Sequence, residues 1–268
     1  MGKMLTVNQM IVRGEISAQD VIRLQHDIFA DGVREIAEAE LLFRIEVECT
    51  TKDESWNAFF IDALAEYYLF NTEPSGELGE DQAQHLIRHI LADGHVAGAT
   101  ELALAIRVVE RAKICPVDLG YLVLKAVWDS VMDPAKAAYG GDRRPKAITA
   151  EDVDIIRKAV HATGSDDGIA VSRAEAELLF ALEHETDDAQ NDIAWRDLFV
   201  QAVAAHLLAP RSGTQGEVDG EEAKWLIGQI SRDGAIRRNE RSLLAFLYGR
   251  TGGDHPALGP LYAVAGLN

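Results

Sequence analysis

The sequence predicts an all-α protein of two tandem, pseudo-repeated helical domains. Three observations carry that prediction. First, the chain repeats itself: Ile16-Ser17-Ala18-Gln19-Asp20-Val21 returns as Ile148-Thr149-Ala150-Glu151-Asp152-Val153, and Glu38-Ala39-Glu40-Leu41-Leu42-Phe43 returns as Glu175-Ala176-Glu177-Leu178-Leu179-Phe180. Self-similarity at a fixed offset is the mark of a repeated architecture. Second, apolar residues recur at helical spacing, and sustained two-residue alternation is absent. Third, Ala and Leu are abundant while aromatics are only 7% of the 268 residues, a bias that suits helices.

The elements follow in order. Ser17 and Thr149 are placed to N-cap helices, with Asp20 and Asp152 three residues on. Val21, Leu24 and Ile28 then form one apolar stripe, and Val153, Ile156 and Val160 its image. Trp56, Phe59, Phe60, Ala63, Leu64, Tyr67 and Tyr68 make a wider stripe, answered by Trp195, Leu198, Phe199, Val203 and Leu207; such stripes are core faces before they are docking faces. Pro/Gly-rich breaks split each half at 71–79 and 210–220. About six helices per half are expected: two helical hairpins, a long helix between them and a closing helix near 117–131 or 256–265. The basic, Pro- and Gly-rich stretch after Asp133 reads as the linker. Domains are therefore expected at 1–135 and 148–268, with a linker over 136–147.

Charge narrows the function classes. The net charge is −18, divided as −12 through Ala135 (23 Asp/Glu against 11 Lys/Arg) and −6 beyond it (21 against 15). Such a chain repels phosphate backbones and anionic bilayers, so neither nucleic acid nor a membrane is an expected partner. Cations and basic proteins are. No apolar run approaches the roughly 20 residues of a membrane span. With no export-signal pattern and two isolated cysteines, Cys49 and Cys115, the expectation is a reduced, cytoplasmic protein.

Each half carries two helix–Asp-Gly–helix units, at Asp31-Gly32, Asp93-Gly94, Asp167-Gly168 and Asp233-Gly234. A glutamate follows six or seven residues after each glycine: Glu38, Glu101, Glu175 and Glu240. An EF-hand calcium loop needs oxygen ligands at positions 1, 3, 5 and 12 around its glycine. The turn at Gly234 comes nearest, with Gln229, Ser231, Asp233 and Glu240, whereas the turn at Gly32 puts Phe29 at a ligand position. The four loops thus read at most as degenerate EF-hands, which makes a metal-free interaction scaffold the alternative function. Helix termination by glycine and charge near the next helix start account for the same pattern without any ligand.

The segments Ile90-Leu91-Ala92-Asp93-Gly94 and Ile28-Phe29-Ala30-Asp31-Gly32, each leading to a glutamate and an apolar helix, resemble the bacterial tellurite-resistance TerB-like domain. The resemblance extends to both halves. It implies a cytoplasmic all-helical bundle in stress response or metal handling. It also implies divalent-cation ligation, by calcium or another ion, at Asp31 with Glu38, Asp93 with Glu101, Asp167 with Glu175 and Asp233 with Glu240. The chain departs from the pattern at Arg232, where Ala is expected, and at the Gly164-Ser165 insertion.

Two other clusters offer candidate chemistry. His85 and His89, four apart, can present both rings from one helix face to a metal. Their second-copy counterparts are Trp225 and Gln229, which favours a packing role. His184-Glu185 with Asp187-Asp188 reads as a solvated acidic turn. Walker, dinucleotide, zinc-protease and nucleophile-elbow motifs are all missing, so the expected function is non-enzymatic.

Overall fold

The computed structural model describes residues 2–71, 73–92, 95–136, 138–139, 143–162, 169–187, 189–210, 216–232, 234–253 and 255–267. The chain divides into two compact units, Met1–Leu119 and Gly120–Asn268. Helices supply nearly all of the regular structure among the described residues. No described helix is long and apolar enough to cross a membrane.

The first unit contains α1 (Gly2–Arg13), α2 (Ala18–Arg23), α3 (Ile36–Glu48), α4 (Ser55–Phe70), α5 (Glu80–Ile90) and α6 (Ala99–Arg111). Helix α2 runs directly into a π-helical turn, Leu24–Ile28. Two short strand pairs complete it. The first, β1 (Glu15–Ile16) with β2 (Thr51–Lys52), is parallel; the second, β3 (Leu91–Ala92) with β4 (His95–Val96), is antiparallel. Helix α1 is an addition to the sequence expectation, and it buries Val7 and Met10.

Helix α7 (Val117–Met132) crosses the division between the units, upstream of the segment that sequence reads as linker. The second unit continues with α8 (Ala150–Ala162), α9 (Arg173–Thr186), α10 (Ala194–Leu207), α11 (Gly220–Ile230), α12 (Arg238–Thr251) and α13 (Gly259–Ala265). The described part of 136–147 is fastened to this unit. Arg143 grips Asp152 bidentately and its Nη2 also donates to the Ala147 carbonyl at 2.9 Å. Tyr139 hydroxyl donates to the same carboxylate.

The Trp stripes are core along most of their length, with Phe59 and Ala63 half-buried at the edge of the first. Trp56, Phe60, Leu64, Trp195, Phe199 and Val203 are all buried. In each unit a Trp indole donates to a buried carboxylate on the preceding helix: Trp56 to Glu46 at 2.5 Å and Trp195 to Glu183 at 2.7 Å. Each unit also has an edge-to-face phenylalanine pair, Phe43–Phe60 at 5.5 Å and Phe180–Phe199 at 5.2 Å. Ring quadrupoles favour that geometry over face-to-face stacking. The predicted caps form as well. Ser17 Oγ accepts from the Asp20 amide, and Thr149 Oγ1 from the Asp152 amide, each with the reciprocal bond back to the carboxylate.

Candidate metal centre

The carboxylates that follow the Asp-Gly turns have one location in common. Glu38, Glu101, Glu175 and Glu240 are each the third residue after an N-cap: Glu35, Gly98, Ser172 and Arg237. At that position a carboxylate can reach back to otherwise unpaired amides of the first turn. Glu38 accepts from the Arg34 amide at 2.8 Å, Glu175 from the Ser172 amide at 2.7 Å and Glu240 from the Arg237 amide at 2.7 Å. Glu101 lies with one carboxylate oxygen close against Gly98, where a Cβ would sit 2.9 Å away.

Three of these glutamates are buried; Glu175 and Glu240 are fully so. Burial pushes the Glu101 and Glu175 carboxyls up, and hydrogen bonds from backbone amides offset only part of that shift. Asp31 is exposed in its turn, and its carbonyl accepts from Arg34 Nε at 2.7 Å. Asp93, Asp167 and Asp233 lie outside the described residues. In the turn expected to be solvated, Glu185 and Asp187 are exposed, but His184 is not. Only 11% of the His184 side chain is exposed, and it pairs with Glu240 at 3.0 Å; Asp187 pairs with Arg237 at 3.1 Å. Packing of α12 covers the His184 ring, while the carboxylates of the turn stay at the surface. Asp188 lies outside the described residues.

Metal-ligating groups converge elsewhere. Among the described residues, Glu40, His85 and His89 form a group of three whose ligand atoms all lie within 4.8 Å of one another. Helix α5 has its apolar and polar positions sharply segregated, and the i, i+4 spacing stacks both imidazoles on one face. Helix α3 brings Glu40 and, three residues on, Phe43 to that face. His85 Nε2 is 2.9 Å and His89 Nε2 3.1 Å from the same oxygen, Glu40 Oε1. Phe43 stacks on His89 with centroids 4.1 Å apart and planes 10° from parallel, which fixes the ring's attitude.

His85 is the buried member, at 6% exposure, and Tyr68 from α4 meets its other nitrogen, Nδ1, at 2.6 Å. Two tautomers satisfy this geometry. With Nε2 protonated, His85 donates to Glu40 and accepts from the Tyr68 hydroxyl. With Nδ1 protonated, it donates to the Tyr68 oxygen and leaves the Nε2 lone pair beside Glu40. The second arrangement is the one a metal requires, with an outer hydrogen bond holding the imidazole in place. Burial raises the Tyr68 phenol, which keeps it a neutral donor or acceptor. Partial burial works to raise the Glu40 carboxyl, but hydrogen bonds and charge from His85 and His89 outweigh it and hold the group ionised below the usual range.

The dimensions suit a small cation. Zinc–nitrogen and zinc–oxygen bonds of about 2.1 Å in a tetrahedron put ligand atoms about 3.4 Å apart. The two His–Glu separations need to open by only a few tenths of an ångström, and the His85 and His89 ligand atoms, within 4.8 Å of each other, have to draw together onto the ion. Two imidazoles and one carboxylate favour zinc, copper or nickel over the oxygen-seeking calcium and magnesium. Glu40 is 44% exposed at its side chain, so the open side faces solvent and leaves room for water as a further ligand.

Sequence reasoning reached the two histidines but not Glu40, which is 45 residues from His85. The signal was in the repeat. Glu177 answers Glu40 in the second unit, and there the Trp225 indole donates to Glu177 Oε1 at 3.2 Å. What both units share is a ring nitrogen facing a carboxylate. Histidine can present a lone pair there and ligate; an indole has no lone pair to offer.

Comparison of the chain with protein-family models, with curated proteins and with solved structures finds no match.

Proposed function

We propose that the protein is a non-enzymatic helical protein that binds a late first-row divalent cation, of which zinc is the type, through Glu40, His85 and His89 in its first unit. The observation that carries this reading is the convergence of three ligand atoms of matched chemistry, within 4.8 Å, on a face held rigid by Phe43 and Tyr68. The Asp-Gly/Glu pattern supports a place among TerB-like proteins of stress response or metal handling. In that setting the four N3 glutamates serve as helix caps, and the cation binds at the imidazoles. Ligation takes each imidazole through Nε2, with its proton carried on Nδ1.

Titration calorimetry of the full chain with zinc, nickel, calcium and magnesium tests the proposal. Zinc is expected to bind with one-to-one stoichiometry. His89→Ala is expected to weaken it at least tenfold, while Asp31→Ala leaves it unchanged. Equal zinc binding by wild type and His89→Ala, or no saturable heat at millimolar zinc, would overturn it. Calcium binding lost in Asp31→Ala would return the site to the Asp-Gly loops.

A further inference from the structure

A groove on the first unit, away from the histidine cluster, runs between α2 with its π-helical turn and the outer face of α4. Its construction is legible along α4. Glu54, Ala58, Asp62 and Glu66 recur every four residues, and Ser55, Phe59 and Ala63 form the neighbouring row. Rows of this spacing are the ridges by which helices pack together. The first row supplies an acidic edge and the second an apolar floor. The twelve steps from Glu54 to Glu66, at about 1.5 Å each, extend the groove for about 18 Å, or roughly three turns of a docked helix.

The opposite wall is apolar and partly exposed. Val21 is buried at its base, while Ile22 stands at its lip with 57% of its surface in solvent. Beside them Gln25 lies in the π-helical turn, a backbone departure that occurs mostly as single turns at functional sites. Four acids line the groove, Asp53, Glu54, Asp62 and Glu66, against one base, Arg111. Arg111 is engaged with Glu66 at 3.2 Å and lies over the Phe70 ring, and Arg107 stands 3.9 Å from Asp62, whose side chain remains 65% exposed. An apolar trough of helical length with an acidic margin complements one kind of surface: an apolar stripe flanked by Lys and Arg.

We propose that this groove is a docking site for a basic amphipathic helix of a partner protein. Apolar side chains at i, i+3, i+4 and i+7 of the partner fill the trough over Phe59, Ala58 and Ile22. Its basic residues meet Glu54, Asp62 and Glu66. The charge of the margin excludes acidic helices and directs basic ones on approach.

The test uses the full chain and a fluorescently labelled 18-residue model helix with leucines at that spacing and lysines between them, read by polarisation at 150 mM salt. An otherwise identical helix with glutamates in place of lysines is the comparison. The lysine helix is expected to bind saturably and the glutamate helix not at all. Ile22→Glu and Asp62→Lys, both at exposed positions, are each expected to weaken binding at least tenfold without changing the circular dichroism spectrum. Charge reversal at exposed Glu151 and Glu221 of the second unit is expected to leave it within twofold. Binding that ignores Ile22→Glu, or that falls equally with Glu151→Lys and Glu221→Lys, would overturn the proposal in favour of diffuse charge attraction. Self-association abolished by Ile22→Glu, measured by sedimentation equilibrium, would assign the groove to a second copy instead and likewise overturn it.

Discussion

Replacing Glu240 by alanine separates capping from chelation at the glutamates that follow the Asp-Gly turns. The side chain is fully buried and makes two bonds: Oε2 accepts from the Arg237 amide at 2.7 Å and Oε1 pairs with His184 at 3.0 Å. Loss of the cap on α12 costs about 1 kcal/mol. Leaving His184 buried without that partner costs about 1–3 kcal/mol more. Glu240→Ala is therefore expected to destabilise by about 2–4 kcal/mol. At a urea slope of about 2 kcal/mol/M, that is a fall of about 1–2 M in the unfolding midpoint. Tryptophan fluorescence suits the assay, because Trp128, Trp195 and Trp225 lie in the second unit and only Trp56 in the first. Glu240→Gln keeps an acceptor for the amide and should lose less than half as much. Glu38→Ala, at a half-buried site, should cost about 1 kcal/mol or less. All measurements are made in EDTA and repeated in millimolar calcium. A midpoint shift below about 0.3 M in EDTA, or one that appears only with calcium, would refute the capping argument.

Three further outcomes follow from the structure. Arg143→Ala strips a bidentate partner from Asp152, which is fully buried, and should cost about 3–5 kcal/mol in chemical denaturation. The corresponding Arg13–Asp20 pair leaves Arg13 48% exposed, so Arg13→Ala should cost under about 1 kcal/mol; equal losses would contradict this. Glu175 has a folded-state carboxyl raised by burial, and its Oε1 has no hydrogen-bond partner. The folded state then holds the proton more tightly, so stability falls as pH rises from the unfolded carboxylate value through the folded one. Glu175→Gln should remove that part of the pH dependence and be more stable than wild type at pH 8, with the advantage vanishing by pH 4; a pH-independent difference would count against it. Finally, Trp225→His with Gln229→His sets two imidazoles beside Glu177. This variant should bind two zinc ions by calorimetry in place of one, and a stoichiometry that stays at one would show that the second unit lacks the required spacing.

Much of the fold was legible because its signals are local. Ser17 with Asp20 and Thr149 with Asp152 form the reciprocal caps that their spacing announces. The Trp stripes are buried along most of their length because an apolar face that wide has nowhere else to go. Helix α1 went unread because Gly2–Arg13 has no counterpart in the repeat and only a weakly apolar composition. His184 reads as solvated, like the exposed Glu185 and Asp187 beside it, because nothing local to residues 184–187 shows that Glu240 of α12 meets its ring.

The candidate site divides along the same line. Sequence alone settled that the chain is helical and that His85 and His89 share a helix face, since both properties are periodicities within one segment. It also determined that the glutamates after the Asp-Gly turns stand near helix starts. Only the tertiary structure brought Glu40 of α3 to both imidazoles and Tyr68 of α4 to the far nitrogen of His85. Convergence of that kind depends on how helices distant in sequence pack, and ligand geometry is set by ångströms that no spacing encodes. The same packing aims the Trp225 indole at Glu177, a hydrogen-bond geometry that matches the first unit's while withholding the lone pair that a metal needs.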